Sequence, residues 1–320
     1  MNDRIADVQR FGNIAYFPMK TPQQSNPNLA KALGTPSVFL KREDEHPYGS
    51  HKGRSIPHMM KTYVKRDGIR DFVISSSGNA ALAAIRMAVK HNQNNPEKQI
   101  TLRVFVGNNI DEKKLQKLHF EISTQTSDIS IEQVERPKQE AFKLDKEGTA
   151  KSLRQSTDDL ALEGYHELAY ELMKIPDLKA VFIPTSSGTT AQALAEVFAK
   201  EQPFTQVHIV QTTACHPLAE ALGATSLPLT KGENKRGSIA GAIVDNVALR
   251  KSAVVESITK THGNGWIVTD EDITSAQQIT QQTTGISISP NSALAVAGLK
   301  KAIDTGTTFE GAVACVITGA

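Results

Sequence analysis

Residues 180–190 read Ala180-Val-Phe-Ile-Pro-Thr-Ser-Ser-Gly-Thr-Thr190. An apolar run on consecutive positions ends in six small residues, Thr185, Ser186, Ser187, Gly188, Thr189 and Thr190. Ala191–Lys200 then follows with the spacing of a helix. A strand that is apolar on successive positions is covered on both faces, as strands of parallel sheets are. Small residues let backbone N–H groups approach an anion at a helix start, and hydroxyls add donors. A plain capped turn is the other reading of this stretch. No Gly-Lys-Ser/Thr follows, so it is not a phosphate-binding P-loop. The three spaced glycines of a dinucleotide-binding Rossmann protein are missing too.

Working outward, the same strand-then-helix alternation recurs. Candidate strands are Val38–Leu40, Phe72–Ser75, Leu102–Val106, Ile129–Val134, Ala180–Pro184, Val207–Gln211, Gly265–Val268 and Ala312–Ile317. Helical spacing joins Ile56, Met59, Met60, Tyr63 and Val64, and again Tyr165, Leu168, Ala169 and Leu172 behind Asp158 or Asp159 as cap. Asp270, Glu271 and Asp272 suit the positive end of a further helix. The alternation predicts an α/β fold with parallel sheets flanked by helices. The most polar region, Ser123 to Ser156, is where the chain is expected to return from a smaller domain to a larger one. Thr230–Gly237 reads as an exposed loop.

Two further segments could carry chemistry. In Pro47-Tyr-Gly-Ser-His-Lys-Gly-Arg-Ser55, Lys52 stands at a helix start behind a glycine-containing turn. It reads either as a solvated lysine or as an amine able to form Schiff bases. Ser75-Ser-Ser-Gly-Asn-Ala80 links a strand to a helix and reads either as a cap or as an anion site.

Composition narrows the company such a protein keeps. The 320 residues suit two modest domains, and 36 basic residues nearly balance 34 acidic ones. That balance gives no electrostatic reason to expect nucleic acid or an anionic membrane as partner. Cys215 and Cys315 lack metal or redox spacing, so neither a zinc site nor a disulfide framework is expected, and a reducing cytoplasm is the default compartment. The N-terminus, MNDRIADVQRFGN, has no apolar leader. Met59, Met60 and Met87 read as core, Trp266 as a packing residue, and His58, His91, His119 and His262 as surface or packing groups without metal spacing.

The succession of Lys52, the Ser-Gly-Asn turn, the small-residue turn and a final strand ending in Thr318-Gly319 resembles the tryptophan-synthase-β-like superfamily. These are the fold type II pyridoxal-phosphate enzymes, and the resemblance covers nearly the whole chain. Leu153–Tyr165 and Ser289–Gly298 resemble stretches of the threonine synthase and threonine dehydratase branches. The resemblance implies two three-layer αβα domains with mainly parallel twisted sheets and pyridoxal 5′-phosphate in the cleft between them. Residues 1–45 and 151–320 would form the larger domain. Residues 46–150 would form a smaller one that carries the Ser75–Ala80 turn and closes on substrate.

Residue by residue, it implies that Lys52 holds the cofactor aldehyde as a Schiff base and, once displaced, moves the proton at the substrate Cα. His51, as in the His-Lys pair of tryptophan synthase β chains, would lie near the cofactor phosphate or pack. Asn79 would meet the cofactor's 3-hydroxyl. Ser76, Ser77 and Gly78 would bind the substrate carboxylate. Thr185 to Thr190 match the phosphate loop, with Ser186, Ser187 and Thr189 where glycines are common. Thr318 would offer its hydroxyl to the pyridine nitrogen. A neutral hydroxyl there moderates electron withdrawal and favours elimination or replacement at Cβ or Cγ. Relatives continue past the Thr-Gly turn, whereas this sequence ends at Ala320.

The leading expectation is a threonine-synthase-like lyase that converts O-phosphohomoserine and water to threonine and phosphate. Arg54, Lys151, Arg154 and Arg236 are the candidate cations for the substrate phosphate. A threonine or serine dehydratase comes next, then a cysteine-synthase-like β-replacement enzyme, then a non-catalytic binder on the same scaffold. The expected partner is a small amino-acid substrate. A homodimer is compatible with this reading, but no motif encodes it.

Overall fold

The computed structural model describes residues 21–122, 128–225 and 237–319. The N-terminal stretch, Ala320 and all of the Thr230–Gly237 loop except Gly237, Arg236 included, lie outside the described residues.

In chain order the strands are β1 (Gln23–Ser25), β2 (Ser37–Arg42), β3 (Asp71–Ser75), β4 (Thr101–Gly107), β5 (Ile129–Val134), β6 (Lys151–Ser152), β7 (Leu178–Pro184), β8 (Gln206–Thr212), β9 (Gly265–Val268) and β10 (Ala312–Ile317). The helices are α1 (Pro27–Leu33), α2 (Lys52–Thr62), α3 (Asn79–Asn94), α4 (Glu112–Ile122), α5 (Pro137–Lys146), α6 (Leu160–Leu172), α7 (Thr189–Glu201), α8 (Pro217–Ala221), α9 (Lys251–Lys260), α10 (Asp270–Thr284) and α11 (Pro290–Asp304). None among the described residues is long and apolar enough to cross a membrane.

Two sheets result. The larger has the order β1-β2-β10-β7-β8-β9 and the smaller β5-β4-β3-β6. Every pairing is parallel except that of β1 with β2. Consecutive apolar residues explain why: alternate side chains of one strand feed opposite faces. In β7, Ala180 and Phe182 join one core, while Val181 and Ile183 join another on the far face. β3 divides likewise, with Phe72 and Ile74 on one side and Val73 on the other. Each sheet is therefore the middle of three layers. All of β10 is buried between β2 and β7, with Cys315 opposite Leu40 on one side and Phe182 on the other.

β1 and β6 were not expected from the sequence. β6 is the polar pair Lys-Ser, and β1 is three polar residues that pair antiparallel at an edge. Neither carries apolar periodicity, so only the neighbouring strand defines it.

Helix ends follow local chemistry. Thr269 caps α10, accepting from Asp272 N while the Asp272 carboxylate accepts from Thr269 N. At α6 the Asp158 carboxylate accepts from Leu160 N at 3.0 Å. Helix α2 packs on α3 and α6. A Cβ on Gly164 of α6 would lie 2.6 Å from Ser55 Cα and 2.8 Å from Arg54 O, so this crossing needs a glycine.

Candidate active site

Three turns follow directly on the carboxyl ends of parallel strands: Ser76–Gly78 after β3, Thr185–Gly188 after β7, and Thr318-Gly319 after β10. That is the edge at which ligands bind open parallel sheets. Because β7 and β10 are neighbours, the second and third turns share one rim.

Lys52 opens α2 against this rim. The loop before it is tied to the end of β10 by backbone: His51 N donates to Thr318 O at 3.0 Å, and Ser50 bridges Gly319. Gly319 has φ +129°, and a Cβ there would sit 2.6 Å from Ser50 Cβ. Ser289 and Ser292, at the start of α11, donate to the Gly319 carbonyl at 2.5 and 2.9 Å. The His51 ring adds a hydrogen bond from Nδ1 to Thr318 O at 2.9 Å and stacks on Tyr165. Burial, then the neighbouring Lys52 charge, lowers its pKa to about 3. His51 is therefore neutral at neutral pH. A carbonyl can only accept, so the proton sits on Nδ1 and Nε2 is left as an acceptor. The ring adds no positive charge for a phosphate.

The Lys52 amine points inward and donates to Gln155 Oε1 at 2.8 Å. The Gln155 carbonyl in turn accepts from Thr189 Oγ1 at 3.4 Å. One residue thus joins the amine to the small-residue turn.

That turn leaves backbone donors without side-chain partners at a helix start. Gly188 adopts φ +88° and occupies the N-cap of α7, where no side chain caps the helix. A Cβ at Gly188 would meet Val254 Cγ2 at 2.5 Å. The first N–H groups of a helix have no intrahelical acceptor. Here they lie beside Ser187 and Thr189, whose hydroxyls are 3.2 Å apart. The Ser186 hydroxyl accepts from Val244 N at 3.3 Å and so docks the residues before α9. Thr185 is fixed through its amide to Val210 O and its hydroxyl to Ile183 O, and Thr190 is buried behind it.

Ser76, Ser77, Gly78 and Asn79 form the corresponding start of α3. Gly78 is the N-cap, again without a side-chain cap, and its amide bonds Ser76 Oγ at 3.3 Å. The plain cap reading fails at both turns. Among the described residues no hydrogen bond joins this second turn to Lys52 or to Thr185–Thr190. The helix this turn opens, α3, packs on α2, which Lys52 opens.

Two expected phosphate cations are committed elsewhere. Arg54 is fully buried, and its guanidinium is taken by Glu43 at 2.7 and 2.8 Å, Glu171 at 2.9 and 3.0 Å, and Glu167 at 3.1 Å. Lys41 also pairs with Glu171. Burial raises the Glu171 carboxyl, but hydrogen bonding and charge from Arg54 and Lys41 outweigh it and hold its pKa below the usual value. Arg54 is thus a structural cation, a correction to its expected role. Lys151 lies 3.7 Å from Asp145 and 5.0 Å above the Tyr63 ring. Arg154 is exposed and donates to Ser156 Oγ at 3.2 Å.

Sequence reasoning assigned no role to Gln155, Tyr165, Arg250, Ser289 or Ser292. Gln155, Tyr165 and both serines fall in the two stretches that carry the branch resemblance, which was the available signal. Arg250 had none. It donates to the Gln155 carbonyl at 3.1 and 3.2 Å and to the Asp158 carbonyl at 2.8 Å.

An inward amine beside an uncapped, hydroxyl-rich helix start fits an aldehyde-bearing phosphate ester. The comparisons agree: residues 14–319 match the family described as "Pyridoxal-phosphate dependent enzyme", and the chain belongs to that family. It is therefore a pyridoxal-phosphate-dependent enzyme of fold type II. A threonine synthase of Mycobacterium bovis is 26% identical over 305 residues, spanning 93% of this chain and 80% of that protein. An L-serine dehydratase/L-threonine deaminase of Mus musculus is 48% identical over 65 residues, 20% of this chain and 19% of that one. The processed threonine deaminase isoform 2 of Solanum lycopersicum superposes with TM-score 0.78 at 18% identity, covering all of this chain (100%) and 90% of its own, a likeness of fold.

Proposed function

We propose that the protein is a threonine-synthase-like lyase in which Lys52 carries the cofactor, converting O-phosphohomoserine and water to threonine and phosphate. The observation that carries the site assignment is the short link from the Lys52 amine through Gln155 to Thr189 of the anion turn. The branch is supported by the threonine synthase relative, which aligns along 93% of the chain.

Bound pyridoxal phosphate supplies an aldehyde for amines and a ring that accepts electrons. In this reading Thr185–Thr190 bind its phosphate through the helix start and hydroxyls, Asn79 orients its 3-hydroxyl, and Thr318 meets its ring nitrogen without adding charge. Ser76, Ser77 and Gly78 hold the substrate carboxylate. The freed Lys52 amine moves the proton at the substrate Cα. Residues 46–150, as the smaller domain, close over the substrate.

A second reading, threonine or serine dehydratase, is favoured by the commitment of Arg54 to carboxylates, which removes a cation from the substrate phosphate. The local match to the mouse dehydratase supports it too.

The test is direct. Purified holoenzyme is given O-phosphohomoserine, threonine, serine, or O-acetylserine with sulfide, and phosphate, 2-oxo acid and cysteine are followed. Phosphate release with threonine formation, reduced roughly 10²–10⁴-fold in Lys52→Ala, is the expected result. Release of 2-oxobutyrate from threonine without phosphate turnover would replace the first reading by the second. No turnover with any of them would leave a binder.

A further inference from the structure

Gln155 is 8% exposed, and both ends of its amide are engaged. Nε2 donates to Ser55 Oγ at 2.7 Å and to Tyr165 OH at 3.0 Å, both on fully buried residues. The Ser55 hydroxyl gives its own proton to the Ala161 carbonyl at 2.9 Å, so it can only accept from Gln155. This fixes which way the amide points: nitrogen toward Ser55, oxygen toward Lys52. The residue's backbone is clamped as well, its carbonyl accepting from Arg250 and Thr189.

We propose that Gln155 is the acceptor that holds the Lys52 amine whenever that lysine is not joined to the cofactor, orienting it for proton transfer. The proposal rests on the reading of Lys52 as the cofactor-bearing lysine. A long flexible amine, free to sample its rotamers, spends little time aimed at one atom. A fixed oxygen at 2.8 Å restores the aim. The choice of an amide matters chemically. A carboxylate at that distance would stabilise the ammonium through charge, raise its pKa and leave less free amine at neutral pH. A neutral oxygen accepts an N–H from the ammonium and from the free amine alike, so it positions the group in both protonation states. The geometry also couples the amine to the phosphate turn, because Thr189 holds the same residue.

The test compares wild type, Gln155→Glu, Gln155→Leu and Lys52→Ala as full-length protein. Borohydride reduction of each holoenzyme and peptide mass mapping come first. A pyridoxyl group on Lys52 in wild type secures the underlying reading; a label elsewhere sinks that reading and the proposal with it. With Lys52 labelled, cofactor is removed, and the rate at which the stripped protein recaptures pyridoxal phosphate is followed by absorbance across pH. Gln155→Glu is expected to move the midpoint of that profile up by about one unit or more. Gln155→Leu is expected to slow capture about 10-fold at every pH while leaving the midpoint in place. Should the leucine variant fail to fold, the near-isosteric glutamate alone decides. A glutamate profile that overlays wild type, or a folded leucine variant that captures cofactor at the wild-type rate, overturns the proposal.

Discussion

Gly188 carries a single-residue prediction. Its φ of +88° and the 2.5 Å approach of Val254 Cγ2 leave no room for a side chain. Gly188→Ala therefore distorts the turn and is expected to weaken pyridoxal phosphate binding at least about 10-fold, by fluorescence titration of stripped protein. Gly223 has nearly the same φ, +87°, but open space around it. Gly223→Ala bears the same backbone strain of about 1–2 kcal/mol and should leave cofactor affinity unchanged. Much of the candidate site was legible at this scale. Lys52, His51, Thr318 and the Thr185–Thr190 turn are marked by short local patterns, and they do lie together. Gln155 was not legible. It is 103 positions from Lys52 in the chain, and the branch-like stretch Leu153–Tyr165 marks its segment without singling out this residue. Its importance comes from Ser55, Tyr165 and Arg250, partners that only the folded chain assembles.

Among the elements, α2 is held by charge as much as by packing. Arg54 ties it to Glu43, just past β2, and to Glu171 of α6, with no solvent to take over if it is removed. Arg54→Leu leaves Glu43 buried without its cation and Glu171 with Lys41 alone, and is expected to cost about 3–5 kcal/mol, read from urea unfolding. If the loss is below about 1 kcal/mol, the network is not the fastening described. The sequence suggested a cation for substrate here because arginine is common at phosphate sites. The acidic partners that bury it come from two other segments, and their approach is a tertiary fact. Strands divided in the same way. Ile129–Val134, Gly265–Val268 and Ala312–Ile317 were readable to the residue; buried apolar runs mark the last two, whereas Ile129–Val134 buries only Ile129 and is marked by its spaced apolar residues. β1 and β6 exist only because a neighbour offers them hydrogen bonds.

Across the whole molecule, acid should undo the fold earlier than carboxylates alone require. His46 and His208 are both buried, and burial lowers their pKa values to about 4 and about 3. At His208, Nδ1 accepts from Asn264 N at 3.0 Å and Trp266 Nε1 at 3.3 Å, so the ring is held neutral. Between the unfolded value near 6.5 and these folded values the unfolded chain binds more protons, so stability falls as pH falls. Each ring contributes on the order of 1 kcal/mol per pH unit within its window. The thermal midpoint should decline from about pH 6.5 toward pH 4, and His208→Asn should flatten that decline. An unchanged slope in the variant would show that His208 takes up its proton without unfolding.

The central position of β10 also has a bearing on synthesis. It is the last strand of the large sheet to leave the ribosome, yet it belongs between β2 and β7, which are made long before it. At ~5–20 residues per second, the nascent chain carries two unpaired inner edges for seconds to tens of seconds. Until the closing strand arrives, those edges can recruit one another or a foreign strand, so native topology depends on protecting that gap during translation.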